Sequence, residues 1–452
     1  MFIIKIILGL LGLGIVVLVH ELGHFLMARL VGIDVEAFSI GWGRPILKKK
    51  IGAVEYRIGM FPLGGYCKMR GDSEFQEAWE NRRDKIAPVP GTFFGASPWR
   101  RIVACIGGPL FNLIFAVLAM SVIWGIGFNV HTLGNKIILA SEMNPGQNYP
   151  ADEAGLKTGD RIVEINGRNV SWYHEILENI AVNPQKFLPI TVERNGELVR
   201  LVVQPELDKS SGAGKIGVYF WADPVIDKVE AASPAAIAGL LPGDIIIAAN
   251  GNEIRNSIDF MKVMEEKPAL LSVEYTRNGA EGHAGIIPLY SENENSAIGI
   301  QWASVQYRTP ALSPPAALAK GAQEGWKTLT ISVQSLKLLF KGIDLTRAVS
   351  GPVRITYMMG DVAAEGFGQS IGTGLRSLTE FIALISIALC VMNLLPLPIL
   401  DGGQIVIFIV EIIRRKPLHP RALSVFQTIG VAMIVGLMFF AIFGDILYLT
   451  QR

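Results

Sequence analysis

Three stretches of the chain carry no ionisable side chain: residues 102–128, 381–400 and 422–444 lack Asp, Glu, Lys, Arg and His. Each is about long enough to cross a hydrocarbon core of roughly 30 Å as a helix. A fourth apolar stretch opens the chain, where LGLGIVVLVHELGHFLMARL (residues 11–30) keeps a helical pattern through His20, Glu21 and His24. One lysine, Lys5, precedes it and no small-residue cleavage site follows, so it is expected to remain as a span and not to leave as a signal peptide. The pattern therefore predicts a four-span α-helical membrane bundle.

Between the second and third spans the period changes from helical to alternating. PADEAGLKTGDRIVEINGRNV (150–170) aligns without gaps on PAAIAGLLPGDIIIAANGNEI (234–254), and VERNGE (192–197) echoes VEYTRNGAE (273–281). Each copy reads as a short helix, a Gly-Asp turn, an alternating strand, an Asn-Gly hairpin turn and a further strand. A repeat of 84 residues is too long for a solenoid unit and fits two tandem α+β domains. Further on, Trp326, Leu329, Val333, Leu336 and Leu339 recur at helical spacing within 316–340, which predicts an amphipathic helix, lying on the membrane surface or packed on the repeat pair. The expected domains are 1–128, a first membrane half; 129–222 and 223–309, the two repeats; 310–370, an amphipathic linker; and 371–452, a second membrane half.

Charge sets the orientation. Lys and Arg total 41 against 40 Asp and Glu, a net charge of +1, so nothing points to nucleic acid. Basic residues crowd the loop after the first span, Lys48, Lys49, Lys50, Arg82 and Arg83 among them, and the short loop at Arg414–Arg421. The positive-inside rule puts both loops in the cytoplasm and both termini and the repeats on the far side. The cysteines, Cys67, Cys105 and Cys390, are too scattered for a disulfide framework.

Ionisable groups at membrane depth need a partner. In HELGH, His20 and His24 are four apart, so on a helix both imidazoles share a face and reach one ion, while Glu21 projects about 100° round, within reach of a water on that ion. Catalytic zinc takes three protein ligands and leaves a position for water. His131, His174, His283 and His419 all lie outside the apolar runs. The leading third ligand is Asp401 in NLLPLPILDGGQ (393–404), with Cys390 second; the competing reading makes Asp401 an N-cap of the following helix. Pro396 and Pro398 forbid a regular helix there, and irregular backbone at membrane depth must line protein or a cavity.

HELGH in a first span, paired with NLLPLPILDGG in a later one, resembles the site-2 protease family of intramembrane zinc metalloproteases. The repeats, with their AGL…GD…NG pattern, look like bacterial PDZ domains, and their place between spans two and three resembles the bacterial regulator of sigma-E protease subtype. The resemblance covers essentially the whole chain. It implies Zn2+ held by His20, His24 and Asp401, Glu21 as the catalytic residue and Asn393 as a substrate contact. It likens FSIGWGRPI (38–46), with Trp42 where Phe is more usual, and VEYRIGMFPLGGYCKM (54–69) to a membrane-associated β-hairpin element that guides substrate. It implies as partners the lipid bilayer and single-pass membrane proteins, anti-sigma factors or remnant signal peptides, cut within the inner membrane after outside trimming, the PDZ pair filtering them by size.

Two other readings compete. A membrane protease of another type would complete HExxH with a glutamate, for which only Glu380 and Glu411 flank a run. A PDZ-bearing scaffold with structural zinc needs a fourth protein ligand, and none is evident.

Overall fold

The computed structural model describes residues 2–209, 212–291, 294–338 and 351–450. The chain divides into two units, Met1–Phe128 with Pro310–Arg452, and Asn129–Thr309.

In the first unit the apolar runs are helices: α1 (Phe2–Leu30), and α3 (Pro98–Ile126) beyond a short amphipathic α2 (Asp72–Glu80). A fourth helix, α4 (Pro314–Leu338), leads to α5 (Pro352–Gln369), α6 (Ile371–Asn393), α7 (Asp401–Arg414) and α8 (Pro420–Thr450). Among the described residues four of these, α1, α3, α6 and α8, are long and apolar enough to cross a membrane. Small residues set how closely they pack, as expected where lipid removes the hydrophobic drive between helices. Gly23 on α1 lies directly on Gly107 of α3; a Cβ on Gly107 would sit 2.5 Å from the Gly23 carbonyl oxygen.

Within 310–370 the described residues form α4 and α5, both packed on spans. Leu329 and Leu336 of α4 pack with Ala116 of α3 and Ala383 of α6, and Gly321 brings α4 onto Ser121 and Val117 of α3. Two residues of the apolar stripe, Leu329 and Leu336, are thus taken up by two spans, while Trp326 and Val333 stay exposed; Leu339 lies outside the described residues. Helix α5 packs on α1, where Lys5 pairs with Asp361 at 2.5 Å. The buried Asp445 of α8 accepts from the Gly351, Val353 and Arg354 N–H groups and so caps α5.

Helix α6 stops at Asn393, and Leu394–Leu400 is irregular where Pro396 and Pro398 fall. The next helix, α7, is fixed against α3: Ile407 and Phe408 pack with Ile102 and Cys105. Glu411 pairs with the buried Arg101 at 2.5 Å, and that guanidinium lies over the Phe408 ring.

Strands β1 (Val35–Ile51) and β2 (Val54–Met69) are too long to stay straight and bend at Gly41, Gly43 and Gly64, all with positive φ. Phe38 consequently pairs with both Cys67 and Tyr56, while Lys49 also pairs with Tyr56. The two strands thus form four limbs in the order 47–51, 54–58, 35–40, 65–69. The inner limbs pack on α1 through Val35, Phe38, Val54, Phe25 and Ala28.

The second unit holds two α+β modules built alike. In the first, strands β3 (Arg161–Ile165), β4 (Arg168–Asn169), β5 (Leu188–Arg194) and β6 (Glu197–Val203) run in the order β4-β3-β5-β6. In the second, β7 (Ile245–Ala249), β8 (Asn252–Glu253), β9 (Leu271–Arg277) and β10 (Ala280–Ile286) run β8-β7-β9-β10. Asn166, Asn195, Asn250 and Asn278 take the left-handed conformation that two-residue hairpins require. The Gly-Asp turns carry a feature the alignment hides: buried Asp160 and Asp244 each receive a forked pair of bonds, at 2.7 Å, from Arg194 and Arg277. Each arginine also reaches a glycine carbonyl, Gly155 or Gly239, so the lock closes the same loop twice.

Candidate active site

One helix turn sets the first two groups. His20 and His24 face α3 from α1, their Nε2 atoms 3.2 Å apart. Asp401 stands at the first turn of α7, with Leu400 and not Asp401 in the capping position. Its Oδ2 lies 3.4 Å from each imidazole Nε2. These are the residues among those described that could hold a metal ion. Cys390 is buried on α6 outside the cluster. Glu380 pairs with Arg376 and Glu411 with Arg101, which removes both glutamates as third ligands.

The donor set suits a small tetrahedral cation. Bonds of about 2.0–2.1 Å to such an ion put neighbouring ligand atoms roughly 3.3 Å apart, and the three separations here are 3.2, 3.4 and 3.4 Å. The imidazoles are held so that Nε2 faces the site. His24 Nδ1 donates to the Ala104 carbonyl at 2.9 Å, which leaves the Nε2 lone pair free. The Asn112 amide lies 3.2 Å from His20 Nδ1, and its own Oδ1 is buried without a partner. Turned end for end, the amide gives that oxygen the Nδ1–H and fixes the same tautomer for His20. Gly108 completes the cradle, since a Cβ there would fall 2.6 Å from the His20 ring and press on His24. Spacing within HELGH could not reveal Asn112 and Gly108; the available signal was GGPLFN (107–112), a polar amide beside Gly-Gly-Pro inside an otherwise apolar run.

Glu21 lies against limb 65–69. A Cβ on Gly65 would touch its Cγ at 3.3 Å. His20, Glu21, His24, Asp401 and Asn393 all line one cavity of about 710 Å³. Limb 65–69 is the edge of the sheet on the cavity side, with Tyr66 and Cys67 in the wall.

The model of peptidase family M50 matches residues 8–437. A protein of Treponema pallidum (strain Nichols) named "Putative zinc metalloprotease" is 36% identical over 449 residues, covering 99% of both chains. A "Regulator of sigma E protease" from Haemophilus influenzae is 32% identical over 464 residues, covering 97% of this chain and 98% of its own. A solved PDZ domain of the SdrC-like protein of Listeria monocytogenes matches 17% of this chain and 84% of its own at 23% identity, with a TM-score of 0.16. The chain belongs to peptidase family M50, the site-2 protease family of zinc metalloproteases. Its four apolar helices agree with the membrane setting of that family.

Proposed function

We propose that this protein is a zinc-dependent endopeptidase of the bacterial inner membrane that cuts single-pass proteins in or near their transmembrane segment. The observation that carries the proposal is the convergence of His20, His24 and Asp401 within an apolar bundle, beside a glutamate that belongs to no ion pair with them. His20 and His24 through Nε2, and Asp401 through its carboxylate, would hold Zn2+. When bound, the ion supplies a lowered water pKa and polarisation of the scissile carbonyl. Glu21 takes the water proton at its carboxylate and returns it to the leaving amine. Ala104 and Asn112 keep the imidazoles oriented through this exchange.

A helical substrate hides its carbonyls and must unwind before it is cut. Limb 65–69 offers the unwound segment a strand edge beside Glu21, and Asn393, in the cavity wall where α6 ends, holds its backbone. The repeated modules, PDZ-like in sequence pattern, stand as a size filter on the extracytoplasmic side, with the termini on that side and the catalytic cavity toward the cytoplasm. Anti-sigma factors already trimmed outside, and remnant signal peptides, fit such a filter.

The test is a reconstituted assay with candidate single-pass substrates. Cleavage by the native chain, abolished by chelator and by Glu21→Gln while Glu21→Gln keeps its metal, supports the reading. A Glu21→Gln form that still cleaves would refute it.

A further inference from the structure

The sheet has two edges, and the proposed reaction uses one. Limb 47–51 forms the other, paired among the described residues only with 54–58. Every residue from Trp42 to Gly52 is exposed, including Lys48, Lys49 and Lys50. Ile46 is 65% exposed, Leu47 64% and Ile51 57%. Glu55 is already paired with Arg57 at 3.0 Å, so the three lysines have no carboxylate on the facing limb to themselves.

The depth of this edge follows from the packing on α1. Gly65, on edge limb 65–69 opposite Ile40 at the top of the inner limbs, touches Val17 and Glu21. Val35 and Val54, at the bottom, pack with Phe25 and Ala28, close to the end of α1 at Leu30. Lys50 pairs with Glu55, beside Val54 at the lower level near the end of a membrane-length helix, and Lys49, paired with Tyr56, and Lys48, paired with Arg57, follow one and two rows above it. Trp42, Met60 and Phe61, all exposed, stand at the opposite, deeper end. An open strand edge is not tolerated against hydrocarbon. At headgroup level, phosphates can take both its N–H groups and the ammonium groups, while Ile46 and Leu47, on the deeper side of the lysines, enter the acyl boundary.

We propose that limb 47–51 is a binding edge for anionic phospholipid headgroups, which seat the sheet so that its other edge faces the catalytic cavity. The proposal rests on the membrane reading of the chain but not on its proteolytic chemistry. Lysines near an anionic surface contribute about fivefold each to such attraction, and salt screens it.

The test is hydrogen exchange of residues 44–58 in the full-length chain, in nanodiscs of phosphatidylcholine alone and with a third phosphatidylglycerol. Slower exchange of 45–51 in the anionic discs, by tenfold or more, is expected, together with its loss in 0.5 M salt and in Lys48→Gln/Lys49→Gln/Lys50→Gln. Equal exchange in both discs, or a triple variant that behaves as the native chain, overturns the proposal. Protection that appears in neutral discs only when a protein substrate is added overturns it in favour of a protein partner. A chain that fails to enter discs at all contradicts the membrane reading instead.

Discussion

At the scale of single residues, the site is a matter of who holds the imidazoles. Asn112→Leu removes the partner of His20 Nδ1, and loss of such an outer hydrogen bond typically weakens metal affinity about 10–100-fold. Zinc competition with a calibrated chelator reads that directly; unchanged affinity would remove Asn112 from the account. Gly108→Val should cost more, because the new side chain has no space between the two rings. Asn393→Ala, by contrast, should keep full zinc and lower cleavage of a membrane substrate; cleavage at the native rate would end its role as a substrate contact. The histidines, Glu21 and Asp401 were legible in sequence because ionisable groups amid apolar neighbours are costly and therefore conspicuous. Asn112 and Gly108 were not, since an uncharged amide and a glycine raise no such alarm and their meaning depends on which helix faces them.

At the scale of elements, period and punctuation carried most of the information. The end of α6 at Asn393 follows from two prolines, and the hairpins of both modules follow from Asn-Gly pairs in alternating strands. Helix α4 shows the limit: an apolar stripe announces that a face will be covered, but Gly321, which admits α3, looks like any other glycine. The four-limbed sheet was hidden for a related reason, because two strands that bend at Gly41, Gly43 and Gly64 break their own alternation. The Asp–Arg locks make a further prediction. Burial pulls the Asp244 carboxyl up, but the Arg277 guanidinium and the Leu241 N–H outweigh it and hold it below the usual aspartate range. A carboxyl depressed in the folded state stabilises above its unfolded value, about 3.9, and that contribution fades as pH falls through the folded value. In Arg277→Met the carboxyl is buried without its partner, so acid opening of the second module should begin at a higher pH than in the native chain. Limited proteolysis of the full chain across graded pH measures this; identical profiles would mean that the lock does not tie protonation to folding.

At the scale of the whole molecule, the chain joins a unit of apolar helices that holds His20, His24 and Asp401 to a unit of two repeated modules. If the modules act as a size filter, removing residues 140–305 should admit substrates with intact extracytoplasmic domains while zinc binding survives. Continued dependence on prior trimming would count against the filter. The division was visible in the sequence as a change of hydrophobic period at residue 129, whereas the closeness of His20 to Asp401 depends on how α1, α3 and α7 pack and has no local signature. That closeness is also what the account depends on most. The most direct measurement is metal stoichiometry with X-ray absorption on the purified full-length chain. One zinc per chain with two nitrogen donors and a carboxylate oxygen, lost in Asp401→Ala, is the predicted result. A chain that binds no transition metal, or an Asp401→Ala form whose zinc keeps the native content and spectrum, would contradict it.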